Sequence, residues 1–429
     1  MPSIYVRNFG PIQEAEIDIN RLTLLIGEQA SGKSTLAKLV YFFKSLKEQL
    51  VDLALRDAPV TNESQLVNAI RDQFYVFFGS TKQFSRDYRI EFRFEQDRRI
   101  TCSESPLRIE MGPPSWFNDL LRTVQSYASR IVAYRRQDDL GGEVRERVAY
   151  REALARLFAD PQENLYIPAS RNITVAYSNS FLAALREELR LKSEVLIPGR
   201  RNDAKAVDLI IARDFISHVQ QIREHFIGKG MEGFLRDLPA PLQRILQPRI
   251  QKLLKGKYRY TANLGEYFHI PSKDNVLLEH ASSGQQESIR ILQDVLVALA
   301  ENRNIFRVIE EPEAHLFPAG QRALMEILAT LSASPNQSSL FITTHSPYIL
   351  SVVNNLLYAA EVPDLAANEA GFPSAIRLHP STVSAYMISE EGVAQSMIDP
   401  ESNLIGTNLI EDAWDEINYD FQTLYALDD

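Results

Sequence analysis

Cysteine is almost absent: the 429-residue chain has one, Cys102. No internal disulfide can form and a zinc site built from cysteines is excluded. A lone thiol suits a reducing cytosol. Long apolar runs are missing as well. The most apolar helical stretch, ILQDVLVALA at 291–300, is interrupted by Gln293 and Asp294, and nothing nears the roughly 18 uninterrupted apolar residues that a membrane span needs. The opening MPSIYVRNFGPIQ lacks the charged-then-apolar order of a signal peptide. The expectation is a soluble, cytoplasmic protein with no membrane partner. Basic residues also run out: beyond Arg377 there is no Lys or Arg, while 11 acids follow. The net charge of -10 argues against a protein that coats DNA.

What is present suits a chain that folds. Hydrophobic residues at 45% and charged residues at 24% match ordinary globular proteins. Charge is unevenly placed, with 13 Lys and Arg against 6 Asp and Glu between Arg200 and Arg259. Residues 3–19 read as two strands around a Gly-Pro turn, since Glu14, Glu16 and Asp18 alternate with Ala15, Ile17 and Ile19. A third strand, LTLLI, feeds the loop GEQASGKST at 27–35, and helical spacing follows. Residues 88–111 alternate like an antiparallel meander. Residues 115–158 read as helical with a break at DDLGG, NLYIPAS as a strand, and 173–254 as mostly helical. Strand-like alternation returns at 257–280. A helix from 284, the strand FRVI, a helix near 320–333, the strand LFITT and a short helical tail complete the reading.

Four short segments carry chemistry. In the loop, Gly27, Gly32, Lys33 and Ser34 fit G-x-x-x-x-G-K-[ST], where glycines permit a tight turn that aims backbone N–H groups inward at an anion. Lys33 would reach the outer phosphates, and the Ser34 hydroxyl would bind Mg²⁺. FRVIEEPEAHLFP at 306–318 delivers two carboxylates to a strand end. Glu310 is placed to hold Mg²⁺ through water, and Glu311 to act as the base for the attacking water. HASSGQQESIRIL at 280–292 sets a small flexible turn before a helix, which is a second phosphate cup or an ordinary N-cap formed by Ser282 or Ser283. LFITTHSPYIL at 340–350 ends a strand with Thr344 and His345, whose imidazole could meet a phosphate or the water.

In this order the segments resemble the ABC-type ATPases, particularly their SMC, RecF and OLD branch. GEQASGKST, from Gly27 through Glu28, Gln29, Ala30, Ser31, Gly32, Lys33 and Ser34 to Thr35, resembles the Walker A loop. ASSGQ, with Ser282, Ser283, Gly284 and Gln285, is similar to the ABC signature. VIEE (308–311) resembles Walker B, EAHLF (313–317) the D-loop, and His345 the switch histidine. YIPASRN (166–172) resembles the connection between lobes. Two positions depart from the family pattern: Glu310 stands where Asp is usual, and Ser283 where Gly is common.

The resemblance implies an α/β fold: an ABC-type P-loop ATPase core, a mixed sheet flanked by helices, split by a largely helical insertion. The expected division is 1–60 for the N-terminal part of the core, 61–160 for a β-meander and helices of the first lobe, 161–262 for a helical basic insertion, and 263–429 for the C-terminal part. It also implies ATP and Mg²⁺ as cofactors, hydrolysis with Glu311, His345 and Lys33 as catalytic residues, and a head-to-tail homodimer sharing two ATPs. NFGPI and EEPEAHLFP resemble the soluble ATPases encoded beside effectors in bacterial anti-phage defence, such as those of the PARIS and Septu systems and RloA-like proteins. No acid cluster of a Toprim nuclease follows His345, so an effector, nuclease or toxin, is expected as a separate protein. The acidic C-terminal stretch, with Leu404, Ile405, Leu409, Ile410, Trp414, Ile417, Phe421 and Leu424 among its acids, reads as a helix packed on the core. The cations of 200–260, interleaved with Tyr258, Tyr260 and Tyr267, leave an alternative open: a DNA-repair or maintenance ATPase that grips nucleic acid directly. A nucleotide-binding scaffold without turnover is the third reading.

Overall fold

The computed structural model describes residues 1–54, 60, 62–79, 85, 87–95, 97–104, 106–176, 206–270, 275–335, 338–406 and 419. The alternation at the N-terminus becomes β1 (Ser3–Phe9) and β2 (Ile12–Asp18), an antiparallel pair followed by β3 (Leu22–Gly27). The meander forms β4 (Arg89–Arg93), β5 (Arg99–Ser103) and β6 (Arg108–Gly112). These five strands make one antiparallel sheet in the order β2-β1-β4-β5-β6. Its buried face carries Ile4, Val6, Ile17, Ile90, Phe92 and Ile100, the inward half of each alternation. The chain then turns back through two antiparallel helices, Pro114–Arg136 and Leu140–Leu157. Of the expected break at DDLGG, only Asp138 and Asp139 lie between the helices. Asp139 caps the second by accepting from the Gly142 amide at 2.8 Å.

The central sheet uses strands from both ends of the chain. Besides β3 it contains β7 (Glu163–Ile167), β11 (Ile305–Glu310), β12 (Ser339–Thr344), β13 (Val383–Ile388) and β14 (Ala394–Ser396). Between β7 and β11 in sequence, β8 (Lys257–Thr261), β9 (Gly265–His269) and β10 (Val276–Leu277) form a separate three-stranded sheet. The central order is β14-β13-β3-β12-β11-β7, parallel throughout except for β14 against β13. Both faces are covered, which explains why β3, β11 and β12 read as continuous apolar runs. Leu25, Phe306, Val308 and Phe341 pack toward the antiparallel sheet and the helix Lys33–Lys44. Leu24, Ile26, Ile309 and Ile342 pack toward helices Ser283–Ala300, Pro318–Ala333 and Pro347–Glu361. The α/β class, with a mixed sheet flanked by helices, is therefore as the sequence implies.

The last third of the chain requires a correction. A short helical tail was the expectation after His345, and helix Pro347–Glu361 meets it in part. The chain then returns to the sheet. β13 lies beside β3 with Ala385 opposite Leu24 and Ile388 opposite Gly27. Its partner stands at the other end of the sequence, so no local pattern signals the pairing. In the acidic segment, Leu404 and Ile405 do pack on the core, where the Asn354 side chain hydrogen-bonds both the amide and the carbonyl of Ile405. The helix read through Leu409, Ile410, Trp414, Ile417, Phe421 and Leu424 lies outside the described residues.

Candidate functional site

Five parallel strands point their C-terminal ends at one edge of the sheet, where ligands bind in open α/β folds. From β3 the chain enters the loop 27–35 through Gly27, whose φ is 154°, and leaves it at Gly32, with φ 108°. At Gly27 a Cβ would lie 2.3 Å from the Ile388 carbonyl oxygen of β13, and at Gly32 it would lie 2.2 Å from Ile12 Cδ1. Only glycine fits either place. Gly32 is also the N-cap of helix Lys33–Lys44. It offers no side chain to the first amides, and no acid stands in the first turn. The free N–H groups and the positive end of the dipole thus remain available to an anion.

Lys33 is buried, and its ammonium bends back to donate to the carbonyls of Gly27 at 2.9 Å and Glu28 at 2.5 Å. Burial pulls its pKa below the usual lysine value, against the opposing pull of Glu311, Glu313 and Glu28. Ser31 is buried beside it, while Glu28, Gln29, Ala30 and Ser34 are exposed and Thr35 is half-buried. A glycine cradle, a buried cation and uncapped helix amides are a donor set that fits a polyphosphate.

β11 brings two carboxylates to the same edge. Glu310 is buried, its two oxygens accepting from the Tyr166 hydroxyl at 2.8 Å and the Ala169 amide at 3.3 Å. Glu311 turns outward, with a left-handed φ of 43°, and its amide donates to the Thr343 carbonyl. Its Oε1 lies 3.3 Å from His345 Nε2. The base and switch candidates, drawn from separate strands, are thus neighbours. Glu313, read from sequence only as the start of the D-loop-like segment, anchors the end of β12. Its Oε1 accepts from Thr344 Oγ1 at 2.5 Å and from the His345 amide at 2.9 Å. Among the described residues, no group of three His, Cys, Asp or Glu could hold a metal unaided. An Mg²⁺ here would rest on Ser34 and Glu310 together with phosphate oxygens and water, the usual arrangement for this ion.

Next to the loop lies a cavity of about 550 Å³ lined by Asn8, Gly10, Pro11, Gln13, Asp87 and Glu391. Its size falls in the range of small-molecule sites. Pro11 and Ile12 press on Gly32, so cavity and loop are contiguous. Asp87 accepts from Asn8 Nδ2 at 3.0 Å and from Ser85. The sequence reading contains neither Asp87 nor Glu391, because they reach the site through sheet pairing rather than through a motif.

Ser282–Gln285 is a true helix start. Ser282 Oγ accepts from the Gln285 amide, and Gln285 Oε1 accepts from the Ser282 amide at 3.1 Å. Ser282 and Ser283 are exposed. Gln285 Nε2 reaches the Leu254 carbonyl at 2.5 Å, and a Cβ on Gly284 would lie 2.8 Å from the His315 carbonyl. This turn therefore leans on the D-loop-like segment. Among the described residues, none of its hydrogen bonds goes to loop 27–35 of the same chain. Close by, Phe317 is 80% exposed.

Among the described residues of the basic stretch, several cations are paired with acids. Arg249 pairs with Glu326 at 2.7 Å, Lys257 and Arg259 share Glu232 at 3.2 Å, Lys229 pairs with Asp237 and Arg223 with Glu266. Arg236, Arg244, Lys252 and Lys255 are exposed. No helix among the described residues is long and apolar enough to cross a membrane.

Residues 22–351 match the family described as "AAA domain, putative AbiEii toxin, Type IV TA system". No curated protein matches the sequence. Among solved structures, the SMC head domain from Thermotoga maritima is 11% identical, with 92% of this chain and 97% of that one covered and a TM-score of 0.34. An Smc head domain with an extended coiled coil, bound to the C-terminal domain of ScpA and derived from Pyrococcus furiosus, is 14% identical, with coverage of 97% and 100% and a TM-score of 0.37. A dimeric post-hydrolysis state of an ATP-binding cassette bound to ADP and Pi is 9% identical, with coverage of 92% and 98% and a TM-score of 0.29. Since the family match spans most of the chain, the protein belongs to this AAA-domain family.

Proposed function

We propose that the chain binds ATP with Mg²⁺ and hydrolyses it between two head-to-tail copies, and that the resulting opening and closing controls a separate effector protein. The observation that carries this reading is the placement of Lys33, Glu310, Glu311 and His345 at neighbouring strand ends. The triphosphate would lie along the loop amides 28–35, with the nucleoside in the cavity beside Asp87. Lys33 would exchange the Gly27 and Glu28 carbonyls for phosphate oxygens, a stronger charge-assisted contact. Mg²⁺, when bound, supplies neutralising charge to the phosphates. Glu311 accepts the proton of the attacking water, and His345 orients that carboxylate.

Ser283 is exposed and Gly284 half-buried at the start of their helix, and among the described residues neither amide meets loop 27–35 of its own copy. They are assigned to the outer phosphate held by a partner, with Phe317 at the same contact. ATP then bridges the copies and hydrolysis removes the bridge. An effector, nuclease or toxin, is preferred to DNA as the controlled partner because Arg249, Lys257, Arg259, Lys229 and Arg223 are already paired with acids of the same chain. The family description, which names a toxin and a toxin–antitoxin system, supports a setting of paired gene products such as anti-phage defence.

The test is co-purification of the Glu311→Gln protein with ATP and Mg²⁺. Bound ATP, a dimer and a retained effector are expected. Hydrolysis at the wild-type rate would show that Glu311 is not the base.

A further inference from the structure

Arg171 is fully buried just beyond β7, in the segment that resembles the connection between lobes and to whose individual side chains the sequence assigns no role. Its guanidinium is distributed over three parts of the chain. Nη1 donates to the carbonyls of Pro168 at 3.3 Å and Glu310 at 3.0 Å. Nη2 donates to those of Glu311 at 3.1 Å and Pro312 at 3.4 Å. Nε donates to the Glu287 carbonyl at 3.1 Å and lies 3.0 Å from its carboxylate. Glu287 belongs to the helix that begins at the Ser283–Gly284 turn. One turn later Arg290, also fully buried, holds Thr174 through its side-chain oxygen at 3.1 Å and its carbonyl at 3.0 Å, while Thr174 Oγ1 donates back to the Arg171 carbonyl.

Three consecutive carbonyls bonded to one guanidinium are unusual outside a regular ladder, and they fall on the residues that place the Glu311 carboxylate. The Glu311 carbonyl also accepts from the Ala314 amide at 3.0 Å, whereas a buried carbonyl left unpaired at Glu310 or Pro312 would cost a hydrogen bond. Positive φ at Glu311 is a conformation that its surroundings must enforce. A planar fork with fixed donor directions can do this, and a lysine ammonium cannot serve the same acceptors.

We propose that Arg171 is a positioning residue that makes the Glu310–Pro312 strand end and the helix starting at Ser283 one mechanical unit. The base offered to one nucleotide and the amides offered to the other then shift together. This rests on the reading that those two parts serve ATP in a dimer, but the link itself exists in the single chain and is measurable without nucleotide. A contiguous packed and hydrogen-bonded connection of this kind is the physical route by which two sites bias each other.

The experiment is amide hydrogen exchange on the full chain, wild type against Glu287→Gln and Arg171→Lys. Glu326→Gln serves as a control that breaks other ion pairs, those with Arg249 and Arg322. Glu287→Gln alters only the helix side of the link. The expected result is that it accelerates exchange across 310–316 by about threefold or more, beyond anything Glu326→Gln does at equal loss of melting temperature. Arg171→Lys should accelerate both 310–316 and 283–288. Unchanged exchange at 310–316 in Glu287→Gln, or a change no larger than in the control, would overturn the proposal. Protection of 27–35 in wild type by ATP with Mg²⁺ tests the nucleotide reading separately, so the two failures are distinguishable.

Discussion

Replacing Gly27 with alanine probes the loop and the strand beside it at once. The new Cβ would sit 2.3 Å from the Ile388 carbonyl oxygen, a backbone atom that no rotamer change can move. Relief requires β13 to shift from β3, in a register where Ile388 faces Gly27. Overpacking of this kind costs about 1–3 kcal/mol, and the left-handed φ adds about 1–2 kcal/mol for a residue with a Cβ. The sum is roughly 2–5 kcal/mol. Gly265→Ala is the comparison: φ there is also positive, at 70°, but nothing lies within 4 Å of the added carbon. Only the conformational cost applies, about 1–2 kcal/mol. Denaturant unfolding of both variants reads the difference, and titration with a fluorescent ATP derivative reads the loop. Gly27→Ala should bind at least about tenfold more weakly, equivalent to about 1.4 kcal/mol, while Gly265→Ala binds normally. Equal stability losses together with unchanged nucleotide affinity in Gly27→Ala would refute the argument.

Three further outcomes are expected. Phe317→Ala should leave the unfolding midpoint within experimental scatter, because the ring is 80% exposed, yet weaken ATP-dependent dimerisation in sedimentation. Burial alone would raise the Glu266 carboxyl, but the Arg290 and Arg223 guanidiniums and the Tyr258 hydroxyl outweigh it and hold its pKa at about 2 against an ordinary 4.5. A depressed folded pKa stabilises above the unfolded value, so about 3 kcal/mol present at neutral pH is lost as pH falls from 4.5 toward 2; Glu266→Gln should flatten that part of the stability profile. Neutralising Arg244, Lys252 and Lys255 together should leave ATP hydrolysis unchanged, and salt-sensitive DNA binding that vanishes in this variant would revive the nucleic-acid reading.

What the sequence made legible has a common physical basis. Glycine at forced backbone angles, alternation in β1 and β2, and a Ser cap three residues before Gln285 are local requirements, and each is met where the pattern places it. Features that depend on a distant partner were not legible. Gln293 and Asp294 interrupt an apolar helix, yet both are buried: Asp294 pairs with Arg307 inside β11 at 2.5 Å and with His218 at 2.9 Å, and Gln293 donates to Tyr258. A buried charge survives because its counterpart arrives from another element, and nothing in either segment announces the match. The same holds for Arg171, whose acceptors are backbone carbonyls that any residue could supply. β13 and the Glu391 rim of the cavity follow from sheet pairing across the length of the chain.

The central claim is that the Ser283–Gly284 turn of one copy completes the nucleotide site begun by Lys33 in another. Its most direct test is disulfide trapping between two chains, one carrying Gln29→Cys and the other Ser283→Cys, both at exposed positions and both with Glu311→Gln; the native Cys102 is buried and stays silent. The expected result is a mixed dimer that cross-links only when ATP and Mg²⁺ are present. No cross-link under those conditions, or the same yield without nucleotide, would contradict it.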